Sequence, residues 1–339
     1  MILPAEFVMP RTGLVWREGL AVLKGLATYV GPLDWYRKLV KRGGSTQDPL
    51  YCYTVWMRNL CVMRKFGWDP QGRDVCELGP GNSIGTGIAA LFSGVNSYTG
   101  LDAFPYSFAT NKKRIAELIV RLSEFFSSRR AIPGADQYPQ INPELDNYDF
   151  PVWLVDGRAF YERIAAIRSA LLRDVENEFA SGRLNYLAPY HELDLSKYGG
   201  SFDAVFSQAV LEHVENLGGT YRLMFSLLRP QGWSWHVIDF RCHGVSSDWN
   251  GHWRYPEWLW KIVAGRREFL LNRLTLSEHL ARAREAGFWI ESVFPYRDGE
   301  HPRLAAKSHL KPSSFVHPFN RMSHEDATTM GALLVMRKP

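Results

Sequence analysis

The chain has 339 residues with a formal net charge of +5, and 46% of its residues are hydrophobic against 22% charged. That is an ordinary globular balance with enough apolar residues for a sizeable core, and it excludes a disordered or fibrous chain. No run of five or six Lys/Arg and no apolar run near 18 residues occurs, which argues against a nucleic-acid tail and a membrane span.

Residues 1–70 read as helices broken at Gly31-Pro32 and Gly43-Gly44-Ser45. Prolines 4 and 10 and Glu6 interrupt the only early apolar stretch, so no signal peptide is expected and the location is taken as cytoplasmic. The segment Leu20–Val40 is amphipathic and basic. It is expected to pack on the domain as a helical lid; peripheral contact with a membrane surface is the alternative. A helix follows over Leu50–Phe66. The cysteines Cys52, Cys61, Cys76 and Cys242 include no CxxC pair and read as reduced, buried thiols.

Strands and helices then alternate. Strands are expected at Val75–Leu78, Ser97–Asp102, just before Asp194, at Phe202–Gln208, Gly232–Phe240, Phe288–Tyr296 and Gly331–Lys338. Repeated alternation predicts a parallel α/β sheet with helices on both faces. No helix is read between the last two strands, so the terminal one is expected to run antiparallel. About ninety residues separate Asp102 from Asp194, where one helical crossover needs about thirty. Lys112–Arg130 and Ala159–Ala180 have helical periodicity, so residues 105–185 read as a helical insertion. Residues 241–285 and 297–330 read as lid regions on the acceptor side. A domain over 71–339 would then follow the N-terminal helical segment. The oligomeric state stays open.

The stretch VCELGPGNSIG, Val75 to Gly85, joins the first strand to a helix through a glycine turn. Its G-x-G-x-x-x-G spacing departs from the dinucleotide fingerprint, which ranks a NAD(P) site second. Asp102 ends the second strand about twenty residues later, where a carboxylate can accept bonds from both ribose hydroxyls. HELDLSKYGGSFDAVFSQAVLEHVENL and LLRPQGWSWHVIDF follow in order. On these four segments the chain resembles the class I S-adenosylmethionine-dependent methyltransferases (type 11/12-like) over roughly residues 70–103 and 186–339.

The resemblance implies a Rossmann-like, doubly wound, mostly parallel seven-stranded sheet with an antiparallel last strand, N-terminal helices and a helical insertion. It implies S-adenosyl-L-methionine as cofactor and S-adenosyl-L-homocysteine as product. Glu77, Gly79 and Gly81 would shape the methionine end, with Pro80 and Asn82 as departures within the same loop. Asp102 would hold the ribose beside Ala103. Asp194 and Leu195 would flank the adenine, and Ser207 and Gln208 would line the floor.

A hydroxyl acceptor needs a base. His213, or His243 oriented by Asp239, is the candidate. Asp239, Arg241 and His243 share one side of the strand end through their two-residue spacing. Arg241, His252, Trp253, Tyr255, Asn272 and Arg273 are the candidate acceptor contacts, while for Trp258 and Trp260 a place in the core of a lid helix competes. For each of these a structural role competes: His213 at a helix start, His243 and Asp239 closing a loop, Asn272 and Arg273 as cap or surface residues. No metal set is favoured, although Asp239, His243 and His252 have the donor types for a divalent ion. The expected activity is O-methylation of a small molecule or glycan. An RNA or protein acceptor, or a non-catalytic scaffold, are the alternatives; nucleic acid is not favoured because Arg129-Arg130 and Arg266-Arg267 are sparse.

Overall fold

The structure is a computed structural model that describes residues 15–31, 45–106, 109–177, 179–267, 269–299 and 309–339. Its centre is one seven-stranded sheet: β1 (Asp74–Leu78), β2 (Ser97–Leu101), β3 (Leu184–Leu187), β4 (Phe202–Gln208), β5 (Leu228–Asp239), β6 (Trp289–Arg297) and β7 (Thr329–Arg337). The spatial order is β3-β2-β1-β4-β5-β7-β6. Strands β1 to β5 pair in parallel, with Cys76 opposite Thr99 on one side and Val205 on the other. β7 runs antiparallel to both β5 and β6, as the sequence leads one to expect. The chain winds outward from β1 through β2 to β3, then crosses back to β4. The crevice at that reversal is where open α/β sheets bind ligands.

Strands covered on both faces need apolar runs, and β1 and β7 are buried nearly throughout. One face is covered by α2 (Pro49–Lys65), α3 (Gly85–Phe92), α4 (Lys112–Ser127) and α5 (Arg158–Glu176). The other is covered by α6 (Leu217–Leu227) and α8 (Leu276–Glu285). Helix α2 starts at Asp48, whose side chain accepts the Leu50 N–H, with Pro49 at the first helical position. Its Trp56, Met57 and Leu60 are fully buried, and Trp56 meets Phe206 of β4 with ring centroids 5.6 Å apart. The N-terminal segment is therefore not separate at residue 70: α2 belongs to the sheet's own core.

Helices α4 and α5 form the expected insertion between β2 and β3. The irregular chain between them is fastened to α2 by Arg58. That buried guanidinium donates to the Pro133 carbonyl at 2.6 and 3.2 Å and also to the Ile141 carbonyl.

Helix α1 (Val15–Ala27) packs on α7 (Glu257–Ala264) of the region after β5. Gly25 permits the approach, since a Cβ there would collide with the Ile262 and Val263 carbonyls. Glu18 accepts bonds from Ser246 Oγ at 2.8 Å and the Ser247 N–H at 3.1 Å. The described part of Leu20–Val40 thus packs on the domain; residues 32–40 lie outside the described residues. The last two strands are joined through one short helix, α9 (His324–Thr328), which the sequence reading omitted. No helix among the described residues is long and apolar enough to cross a membrane.

Candidate active site

At the sheet reversal lies a cavity of about 580 Å³, within the usual range for a small-molecule site. Its floor is the turn after β1. Gly79 and Gly81 both have φ of +68°, a region that favours glycine. A Cβ on Gly79 would lie 2.7 Å from the Val210 methyls, so the two backbone segments can close the floor only with glycine there.

Asp102 borders the cavity and is only 5% exposed. Its Oδ2 accepts the Gly81 N–H at 2.7 Å and its Oδ1 the Phe104 N–H at 3.0 Å. Each oxygen keeps one acceptor position, which suits a vicinal diol. Burial pushes its pKa up, and the amides of Phe104, Gly81 and Ala103 pull the other way. Ala103, Phe104, Tyr106, Tyr190 and Phe269 supply apolar wall, and the rings of Phe104 and Phe269 meet edge to face at 4.9 Å. The glycine turn, the Asp102 carboxylate and the apolar wall together have the chemistry to hold a ligand that carries a vicinal diol.

The far wall carries titratable groups. His213 lines the cavity from a 3-10 turn, Leu211–His213, after β4. Its ring lies 5.1 Å from that of His243, centroid to centroid. His243 Nε2 is 3.2 Å from Asp239 Oδ2. Arg241 grips the same carboxylate, Nε to Oδ1 at 2.8 Å and Nη2 to Oδ2 at 2.7 Å. Burial alone would raise the Asp239 pKa, but hydrogen bonds from His243 and Arg241 outweigh it and hold the carboxyl well below its usual range. Burial, with the neighbouring His243, lowers His213 to about 4, so its imidazole is neutral at pH 7. Beside it, Glu212 is 2% exposed and neither carboxylate oxygen has a hydrogen-bond partner. Burial first, then Asp239, raises its pKa; nearby amides and Arg241 offset this only in part. Ala209 and His243 have φ of +53° and +48°, unusual strain that clusters here with the polar groups.

Several expected residues lie elsewhere. Glu77 does not reach the cavity; its Oε2 accepts the Tyr98 hydroxyl at 2.6 Å inside the sheet, and burial raises its pKa to about 8. Pro80 packs toward Gly100, and Asn82 lines a separate recess with Ser83 and Arg114. Asp194 is exposed and caps a 3-10 turn by accepting the Ser196 N–H at 3.0 Å; Leu195 packs against the α6 side of the core. Their expected place is taken by Tyr190 and His191, because the chain leaving β3 is pinned early by the Tyr190 N–H on the Asp102 carbonyl at 2.8 Å.

Ser207 is not on the cavity floor either: its Oγ meets His236 Nδ1 at 2.8 Å within the sheet. Gln208 faces a smaller recess shared with Asn142, Asp239, Arg241 and Tyr296. The floor is instead Ala209 and Val210, just past the strand.

The aromatic run after β5 is mostly lid core. Trp253 is fully buried, Tyr255 donates to the Val245 carbonyl at 2.6 Å, and Trp260 is buried while Trp258 is exposed. His252 is 1% exposed with its ring 4.4 Å from Trp253, and it is not among the donor atoms that cluster with His243. Arg273 is a buried strut: it donates to the Tyr255 carbonyl at 2.8 Å and to Glu257 at 2.6 Å, over the rings of Trp260 and Phe319. Asn272 holds the catalytic-side turn, donating from Nδ2 to the Leu211 and Val214 carbonyls at 2.8 and 3.0 Å. These three act on protein groups, not on an acceptor. Glu212, Tyr190, His191 and Phe269 went unread in the sequence; only the adjacency of Glu212 to His213 hinted at any of them.

Residues 167–235 match the sequence profile of a family described as a methyltransferase domain. The match begins within α5, so the long insertion separates it from the glycine turn. No curated protein matches the chain in sequence. Among solved structures, an S-adenosylmethionine-dependent methyltransferase from Mesorhizobium loti is 15% identical, with a TM-score of 0.41 over 83% of this chain and 98% of its own. Phosphoethanolamine N-methyltransferase 2 of Haemonchus contortus, solved with S-adenosyl-L-methionine, is 14% identical, with a TM-score of 0.40 over 90% of this chain and 60% of its own. The strand order and the antiparallel seventh strand are those of a Rossmann-like methyltransferase fold, and the profile match lies within it.

Proposed function

We propose that the protein methylates a hydroxyl of a small molecule or glycan. The observation that carries this reading is that His213, on the wall of the cofactor-sized cavity, is paired with His243, which is backed by Asp239. An amine or thiol acceptor needs little help, whereas a hydroxyl must lose its proton as it attacks. In the step proposed, the acceptor oxygen forms a bond to the methyl carbon as the carbon–sulfur bond breaks. The sulfonium leaves as the neutral thioether of S-adenosylhomocysteine, and the hydroxyl proton passes to the imidazole cluster. The chain's own contribution is alignment and proton acceptance.

Beside Asp239 lies a small recess of about 40 Å³. It is lined by Gln140, Asn142, Gln208, Arg241 and Tyr296, and both Asn142 Oδ1 and Tyr296 Oη are buried without partners.

The test is methyl transfer from labelled S-adenosylmethionine to a panel of glycans and hydroxylated metabolites. His213→Ala and His243→Ala are expected to lower kcat by about 100-fold or more with cofactor affinity unchanged. Transfer only to amines, RNA or protein, or full turnover in both variants, would contradict the reading.

A further inference from the structure

We propose that Glu212, His213 and His243 form a binding site for one divalent transition-metal ion on the wall of the cofactor cavity. One donor atom from each of the three residues lies within 4.8 Å of the others. Metal bonds of about 2.0–2.2 Å place donor atoms about 3–4 Å apart, so small side-chain rotations close the set. The Glu212 Oε1 to His213 Nε2 distance is already 3.9 Å.

Three observations point to a cation and not to a chance cluster. Glu212 is 2% exposed, yet both its oxygens lack a partner, and a buried charge without a partner is costly. His213 turns Nε2 toward that carboxylate, and its other nitrogen, Nδ1, is also buried and unpartnered. His243 gives Nε2 to Asp239, and a metal-bound histidine commonly has its other nitrogen on a carboxylate in this way. Asp239 in turn is fixed by two bonds from Arg241.

Two imidazoles and one carboxylate favour zinc, manganese, iron or cobalt over magnesium or calcium, and leave coordination positions open. His213 lines the cavity, so an open position there would meet an acceptor oxygen. That role, polarising the acceptor hydroxyl, would replace proton acceptance by the imidazole nitrogens that hold the ion and rests on the hydroxyl-methylation reading above; the binding of the ion does not. His252 is not part of the site, because its nitrogens lie outside the cluster of donor atoms within 4.8 Å of one another.

The test is calorimetric titration of the chelator-treated full chain with Zn²⁺, run beside titration with S-adenosylhomocysteine. One equivalent of Zn²⁺ is expected to bind. Glu212→Gln, a near-isosteric change, and His243→Ala, at a half-buried side chain, are each expected to weaken it at least tenfold. S-adenosylhomocysteine affinity in the same variants is expected to stay within threefold, which shows that they fold. Absence of stoichiometric binding, or unchanged binding in both variants, would overturn the site. An intact metal site in a protein that methylates no hydroxyl would overturn only the proposed role.

Discussion

Asp102 offers a sharp perturbation of the cofactor site. Each of its oxygens already accepts one backbone N–H, from Gly81 at 2.7 Å and Phe104 at 3.0 Å, and each keeps one position for a ribose hydroxyl. In Asp102→Asn one oxygen becomes an NH₂ group. The negative charge goes, one ribose bond goes, and one backbone N–H faces another donor. A hydrogen bond to a charged group contributes about 1.5–3 kcal/mol, so losing one and weakening the other costs about 3 kcal/mol, or about 150-fold in affinity. The stranded N–H costs roughly 1–3 kcal/mol of stability, which lowers Tm by several degrees. Equilibrium dialysis with labelled S-adenosylmethionine reads the first effect and thermal unfolding the second. A dissociation constant within threefold of the wild type, with Tm lowered, would mean that Asp102 only braces the glycine turn and does not hold the ribose.

Two further perturbations test other parts of the account. Burial depresses His236 and His279 to about 3, against about 6.5 in an unfolded chain. Folding therefore favours their neutral forms: their contribution is complete above pH 6.5 and is lost as pH falls below it. At pH 5 each costs about 2 kcal/mol, so urea unfolding at pH 7.5 and pH 5 should differ by about 4 kcal/mol from this pair. His236→Gln should remove about half of that difference, and an unchanged difference would refute the assignment. Asn272→Ala frees the turn that carries Glu212 and His213, and should lower kcat about tenfold with cofactor affinity unchanged. Asn272→Asp should not rescue it, because the Leu211 and Val214 carbonyls require donors; rescue by Asp would show that the side chain acts elsewhere.

The glycine turn and Asp102 were legible because their chemistry is tied to a strand end, and a strand end is visible in sequence as the close of an apolar run. The antiparallel seventh strand was read from the lack of a helix before it, and it holds although the short helix α9 lies there. Asp194 was misplaced because the exit from β3 is set by the Tyr190 N–H on Asp102, a bond between distant segments. Ser207 and Gln208 were misplaced by one or two residues. Strand alternation sends Ser207 to His236, and the cavity floor begins only where Ala209 turns to positive φ.

The His252–Trp260 run looked like acceptor chemistry because a lid core and an aromatic pocket need the same residue types. Arg273 followed the same logic: its charge is satisfied internally by Glu257, which no local pattern reveals. Glu212 was passed over because its interest lies in being buried without a partner, a property of packing alone.

The central claim is that the cavity at the sheet reversal binds S-adenosylmethionine. Calorimetric titration of the wild-type chain with S-adenosylhomocysteine, with NAD as control, tests it most directly. The account predicts one site with a micromolar or tighter dissociation constant for S-adenosylhomocysteine and no measurable heat with NAD. Binding of NAD alone, or of neither, would contradict it.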